Sequence, residues 1–347
     1  MKQYLSYFLP LFFFLALAFP SKSISAGSSE GPFDPAQMIL SHIYDSHEWH
    51  IFSYNGHHYS IPLPVILYHE EKGLSIFMSS KFKHGKEPYN GYKYDNETQK
   101  IICVDDMKSE KIWDLSITKN VASLLFSIIV LVLLFLSISR RYLKNPNSPP
   151  KGIQAFIEPL IVFVRDDIAK SAIGEQSYKK YLPFLLTIFF FIAFNNLLGL
   201  IPIFPGGANL TGNIAVAMVM AAIVFVITTL SGTKYYWKHI FAMPGVPRPV
   251  LLILTPIEII GVFLKPFVLM IRLFANITAG HIIILSFFSL IFIFADLMGP
   301  AAGYGVSVAS VLFVLFMMTL EILVAFLQAY VFTLLSAMYF GMALEQH

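Results

Sequence analysis

Two apolar segments near the C-terminus, residues 250–298 and 307–340, constrain the fold more than any other feature of the chain. At about 1.5 Å per residue, the 41 residues from Val250 to Leu290 would extend about 60 Å as a helix. That is twice the roughly 30 Å hydrocarbon thickness of a bilayer. Such a segment either lies inclined or breaks. A break at Asn276 to Gly280 would leave backbone groups in lipid, with neither a proline nor a charged loop to account for it. The sequence therefore favours one strongly inclined helix. Gly299, Pro300 and Gly303 read as a turn, and Ser307 to Phe340 reads as a second oblique helix. The two form a hairpin.

Composition agrees, since the chain is 56% apolar and 13% charged, against about 25% charged residues in ordinary globular domains. This is the balance of a membrane protein, and a net charge of +3 gives no footing for a nucleic-acid partner. The lone Cys103 excludes an intramolecular disulfide and a cysteine-based metal cage. At the N-terminus, Lys2, the apolar run Leu5 to Phe19 and the small residues Ser23, Ser25 and Ala26 read as a secretory signal over residues 1–26. An uncleaved anchor is the competing reading, and either would export the residues beyond it. Residues 27–115 are polar and turn-rich, with Asn55-Gly56 and Asn90-Gly91 as hairpin signals, and read as a small β-rich periplasmic domain. It holds seven of the ten histidines: His42, His47, His50, His57, His58, His69 and His84. A two-residue turn at Asn55-Gly56 sets Tyr54 opposite His57 and sends His57 and His58 to opposite faces, so no metal site is expected.

From residue 116 to 347 the pattern is that of an all-α polytopic membrane domain. Val121 to Ile138 is an uncharged run of 18 residues, about the minimum for a crossing. It ends at Arg140, Arg141 and Lys144, which positions the chain's passage from outside to inside. Residues 151–180 carry too many charges to span and suit an interfacial helix. Tyr181 to Ile203 crosses outward, a turn comes next with Pro202, Pro205, Gly206 and Gly207, and Asn213 to Leu230 crosses back. Eleven lysines and arginines occupy 139–180 and 233–249, against none in 204–212. The C-terminus is thereby expected in the cytoplasm.

Charges inside the hairpin point to function. Glu258, Lys265 and Arg272 recur every seven residues, and with Asn276 they form one polar stripe. His281 is nine residues from Arg272, about half a turn round the helix, so it occupies another face. On the second helix Glu321 and Gln328 share a face. A central arginine costs about 2.5–3.5 kcal/mol even on the most lenient scale, and snorkelling is excluded by more than fifteen apolar-rich positions on either side. Arginine keeps its proton when desolvated, which makes Arg272 a permanent barrier. His281 and Glu321 titrate and can relay protons. No nucleophile triad, phosphate loop or metal motif accompanies them, so the chain reads as a conduit with no catalytic residues and no cofactor of its own.

The run IRLFANITAGH, with LKPF before it and EILVAFLQAY after it, resembles subunit a of F-type rotary ATP synthases. NLLGLIP and ANLTGN precede it in family order, and the likeness covers about Pro183 to His347. It implies a stator subunit in a bacterial inner membrane, forming proton half-channels beside a ring of c subunits, with a b-subunit stalk, the F1 sector and lipids as further partners. Arg272 matches the essential arginine facing the ring, and Asn276 and Gln328 match its polar neighbours. His281 and Glu321 match the relay positions, in the order resembling the mitochondrial pattern and the reverse of that in many bacteria. Asn209, Thr211 and Asn213 match the lining near the periplasmic mouth, and Glu258 and Lys265 the cytoplasmic half-channel. A secondary ion transporter is the alternative, although it would normally show internal repeats and interrupted helices, and the sequence shows no repeat.

Overall fold

The computed structural model describes residues 34–54, 57–70, 72–95, 98, 100–104, 112–144, 149–201 and 204–345. The expected signal segment lies outside them. Residues from Pro35 to Asp114 form a strand-rich region: helix α1 (Pro35–Ile43), then β1 (Glu48–Tyr54), β2 (His57–Pro62), β3 (Pro64–His69), β4 (Gly73–Met78), β5 (Tyr92–Asp95), β6 (Lys100–Cys103) and β7 (Ile112–Asp114). Strands β1 and β2 pair with Tyr54 opposite His57, the register of a two-residue turn, whose own residues Asn55 and Gly56 lie outside those described. At the second turn Asn90 and Gly91 have φ of 52° and 76°, and the backbones of Tyr89 and Tyr92 exchange both hydrogen bonds. Positive φ at both central positions is what the Asn-Gly pair supplies.

β3 takes β4 on one edge and β7 on the other, and the residues of β3 alternate between the interior and a more open face. Val65 and Leu67 point inward to Phe82, Tyr92, Tyr94 and Ile101. The short β7 is anchored at its end, where His47 Nε2 donates to Asp114 Oδ2 at 2.8 Å and the Ser116 backbone N–H donates to Asp114 Oδ1 at 3.0 Å. Burial pushes the Asp114 carboxyl up, but the His47 and Ser116 hydrogen bonds prevail and hold it below the ordinary carboxylate range.

Five helices among the described residues are long and apolar enough to cross a membrane. They are α2 (Lys119–Lys144), α4 (Tyr178–Gly199), α5 (Ile214–Ser231), α7 (Arg248–Met298) and α8 (Pro300–Leu344). Two shorter helices, α3 (Ile153–Phe163) and α6 (Lys234–Phe241), lie between them. The end of the bundle meeting the strand-rich region is here called proximal, the opposite end distal. α3 continues through a π-helical segment, Val164–Lys170, and a last turn, Ser171–Ile173. As its mixed composition suggested, one face is buried, with Val164, Ile168 and Ala169 inward. The other carries Asp166 in ion pairs with Arg165 at 2.6 Å and Lys170 at 2.9 Å.

α7 runs unbroken for 51 residues, through Pro256, Pro266 and the Asn276–Gly280 segment. At about 1.5 Å per residue it is about 76 Å long, so it can lie in a bilayer only when steeply inclined. The turn after it is tighter than the sequence suggested. Gly299, with φ 88°, makes the reversal alone, Pro300 already starts α8, and Gly303 lies inside that helix against Ala295. Proline at a first helical position sacrifices no hydrogen bond. α8 is buried along Ala325, Ala329, Thr333, Ser336, Ala337 and Phe340, facing Leu185, Ile188, Phe189, Ile192 and Ala193 of α4. Small residues let the two backbones approach closely where the surrounding lipid offers no hydrophobic drive to associate.

The Asp114 linkage has a definite sign. A carboxyl depressed in the folded state stabilises fully above its unfolded pKa of about 3.9, and that contribution is lost as pH falls through the folded value. Amide exchange in β3 and β7 of the detergent-solubilised chain, corrected for intrinsic rates, is expected to accelerate as pH falls below about 4, and Asp114→Asn should remove that dependence.

Candidate functional site

The α7–α8 hairpin presents two polar arrays on opposite sides. Arg272 and Asn276 lie on the exposed side of α7, where Val268, Ile271, Ala275 and Ala279 are exposed beside them. No salt bridge joins Arg272 to a carboxylate among the described residues. Asn276 Nδ2 donates to Gln328 Oε1 at 3.1 Å, and Gln328 is 2% exposed, so this bond ties the rim of the Arg272 face to the buried seam with α8. The two alanines keep that face shallow around the guanidinium, leaving room for another helix to approach.

The other array faces inward. Glu321 is 5% exposed, and its carboxylate lies against Gly280, where a β-carbon would collide with Oε1. His281 sits on the next residue of α7 and turns toward α4, where a β-carbon at Gly199 would stand 3.8 Å from His281 Nε2. Gly280 thus makes space for the Glu321 carboxylate, and Gly199 for the close approach of the Ala208 carbonyl, 3.1 Å from where its β-carbon would stand. Above them the 206–213 segment folds inward, its Gly212 carbonyl accepting from Thr278 Oγ1 at 3.2 Å. Asn209 and Thr211 are buried there, and Thr211 Oγ1 donates to Asn196 Oδ1 at 2.5 Å while Asn196 Nδ2 donates to the Ala325 carbonyl at 3.2 Å.

Both oxygens of Glu321, both polar atoms of the Asn209 amide and Oδ1 of Asn195 have no hydrogen-bond partner among the described residues. Buried polar atoms that a chain leaves unpaired are stable only where water or a proton carrier reaches them. Of the other residues singled out in the sequence, Asn213 accepts from the Ala215 N–H at 2.9 Å and caps α5, so its carbonyl oxygen is committed to the helix. Glu258 and Lys265 lie toward the distal end of α7. Lys265 Nζ stands 5.7 Å from the Tyr339 ring centroid and, with Thr228, Thr229 and Tyr236, lines a shallow cleft. Tyr339, which lines this cleft, is also within electrostatic reach of Arg272.

Sequence reading passed over Asn195, Asn196 and, on α2, Asn120. Two consecutive amides in an otherwise apolar crossing were the available signal for the first two.

Comparison with known proteins identifies the family to which a chain with this hairpin belongs. A family model described as "ATP synthase A chain" matches residues 121–341. The chain belongs to the ATP synthase A chain family. It is 41% identical to ATP synthase subunit a of Chloroherpeton thalassium over 264 residues, 74% of this chain and 76% of that protein. It is 47% identical to ATP synthase subunit a 2 of Chlorobaculum tepidum over 67% of this chain and 64% of that one, and 42% identical to ATP synthase subunit a of Myxococcus xanthus over 66% and 73%. Residues 38–122 match a separate model, "Domain of unknown function (DUF8433)". Family membership does not favour the secondary-transporter alternative, and neither do the unbroken α7 and α8.

The Asn276–Gln328 bond makes a test of the seam. Asn276→Leu leaves a buried acceptor without its donor and is expected to cost about 1–3 kcal/mol. Adding Gln328→Leu should recover part of that loss, a non-additivity read by thermal unfolding in detergent.

Proposed function

We propose a residue-level route for protons through this subunit, in which Arg272 separates two half-channels. As a member of the subunit a family, the chain is the stator component of the ATP synthase membrane sector and serves proton translocation. In our reading it sits in a bacterial inner membrane, with the strand-rich region in the periplasm after export and the C-terminus in the cytoplasm. The exposed Arg272 face meets a ring of c subunits. A b-subunit stalk and the F1 sector complete the complex, and nucleotide chemistry takes place there, not on this chain.

The observation that carries this reading is the pairing of an exposed, carboxylate-free Arg272 with an inward Glu321 that has no hydrogen-bond partner among the described residues. A guanidinium in lipid without an internal counter-ion demands an external one. A carboxylate carried on a rotating partner supplies it once per passage. A proton enters from the periplasm past Asn209, Thr211 and Asn213, reaches His281 and Glu321, and neutralises a ring carboxylate, which then turns into lipid. On the cytoplasmic side the carboxylate ionises on approaching Arg272, and its proton leaves along the cleft near Glu258 and Lys265. Because Arg272 keeps its charge, no proton passes between the half-channels without rotation. Asn276 and Gln328 hold the surface from which the guanidinium reaches. Each charge crossing is worth about 2.3 kcal/mol per 100 mV, which couples several crossings to one ATP.

Arg272→Ala is expected to abolish ATP-driven proton pumping in inverted vesicles while the complex still assembles; normal coupled pumping would overturn the route. Glu321 and His281 act as one relay in this scheme. Their single and double variants should therefore lose similar amounts of pumping, whereas additive losses would separate them.

A further inference from the structure

The strand-rich region does not stand apart from the membrane helices: it closes over the proximal end at three places. Trp49 of β1 packs edge-to-face on Phe204 at 5.0 Å, on the segment that continues to Asn209. α1 packs against α7, the helix that carries His281. The third contact is a clamp on the start of α2. Asp45 Oδ1 accepts from the Asn120 N–H at 3.0 Å, Asp45 Oδ2 accepts from Thr118 Oγ1 at 2.7 Å, and the Ser46 carbonyl accepts from the Lys119 N–H at 2.9 Å. Asp45 thus serves as a helix cap delivered from outside the helix.

The clamp positions more than backbone. Lys119, Asn120, Ser123 and Ser127 are all buried on one face of α2, a polar stripe at helical spacing in the proximal half of a crossing. Lys119 is 8% exposed and lies within electrostatic reach of both Asp45 and His281. Asn120 is 4% exposed, and its Oδ1 has no hydrogen-bond partner among the described residues. Those are the same features that mark Asn209 and Glu321.

We infer that the strand-rich region is the outer wall of the proton inlet, and that Lys119, whose backbone N–H is held by Ser46 beside the Asp45 clamp, is a positioning residue whose ammonium governs proton uptake at His281. This rests on the route proposed above. Among the described residues, few charged or titratable groups surround His281. α2 contributes Lys119 and α8 contributes Glu321, while α4 offers only the amides Asn195 and Asn196 there. α5 has no titratable residue, and the Lys234, Lys238 and His239 of α6 lie at the distal end. α1 carries no lysine, arginine or carboxylate, and its single titratable residue is His42. A cation in this position opposes the arrival of a second one, and Asp45 offsets part of that opposition. The inlet is thereby tuned by a residue contributed from the exported region.

The test uses the whole complex in proteoliposomes and reads ATP synthesis against pH on the inlet side at constant total driving force. Lys119→Met should move the alkaline limb upward, so that half-maximal rate is reached at about three- to tenfold lower proton concentration. Asp45→Asn keeps an acceptor for the helix cap yet removes the offsetting charge, and should move the limb the other way. Lys119→Arg should restore the wild-type limb. Opposite shifts cannot arise from loss of stability, which would move both variants alike. Unchanged limbs in both variants, or shifts of the same sign, would overturn the inference. Arg272→Ala run alongside separates the two readings: if it is inactive while the limbs stay fixed, only the role given to Lys119 and Asp45 is wrong, and if it synthesises ATP normally, the route itself fails.

Discussion

A guanidinium that cannot lose its proton, placed midway along a helix too long to stand upright in a bilayer, dictates the rest of this molecule. Its cost in lipid is several kcal/mol, and among the described residues no carboxylate pairs with it. The structure puts Arg272 on an exposed face where alanines replace bulk, and steadies that face through Asn276 and the buried Gln328. In the route proposed above, an acidic partner approaching from outside satisfies the charge, and the partner's motion becomes the means of coupling.

The length of the hairpin lets one helix carry polar groups at two well-separated depths. Because α7 runs about 76 Å, its distal part lines the cleft by Lys265 and Tyr339, and its proximal part carries His281 beneath the 206–213 segment. The offset between the two sites comes from geometry alone: residues nine apart face opposite ways and also sit at different depths. Gly280 then determines what can share the proximal space, since a β-carbon there would collide with the Glu321 carboxylate, while a β-carbon at Gly199 would press on the Ala208 carbonyl of the inward-folded segment.

The strand-rich region changes meaning once its contacts are known. Read as sequence it was an exported domain rich in histidine. In the structure His47 is spent on Asp114 and His84 on Glu48, while Asp45, Ser46 and Trp49 hold the region onto the proximal ends of the membrane helices. Its contacts to Phe204 and to the Lys119 backbone make it part of the proximal end of the helix bundle.

What the sequence determined by itself was everything governed by local periodicity and solvent: the five crossings, the unbroken α7, the opposite faces of Arg272 and His281, and the turns at Asn55-Gly56 and Asn90-Gly91. Each depends on residues within a few positions of one another, where helical or strand spacing and the lipid penalty leave few alternatives. Only the tertiary structure decided that Gly303 packs inside α8, that Asn213 serves as a helix cap, that Glu321 rests on Gly280, and that Asp45 clamps a helix start 75 residues away. Those contacts join segments far apart in the chain. Their register depends on how whole helices pack, which no local pattern encodes.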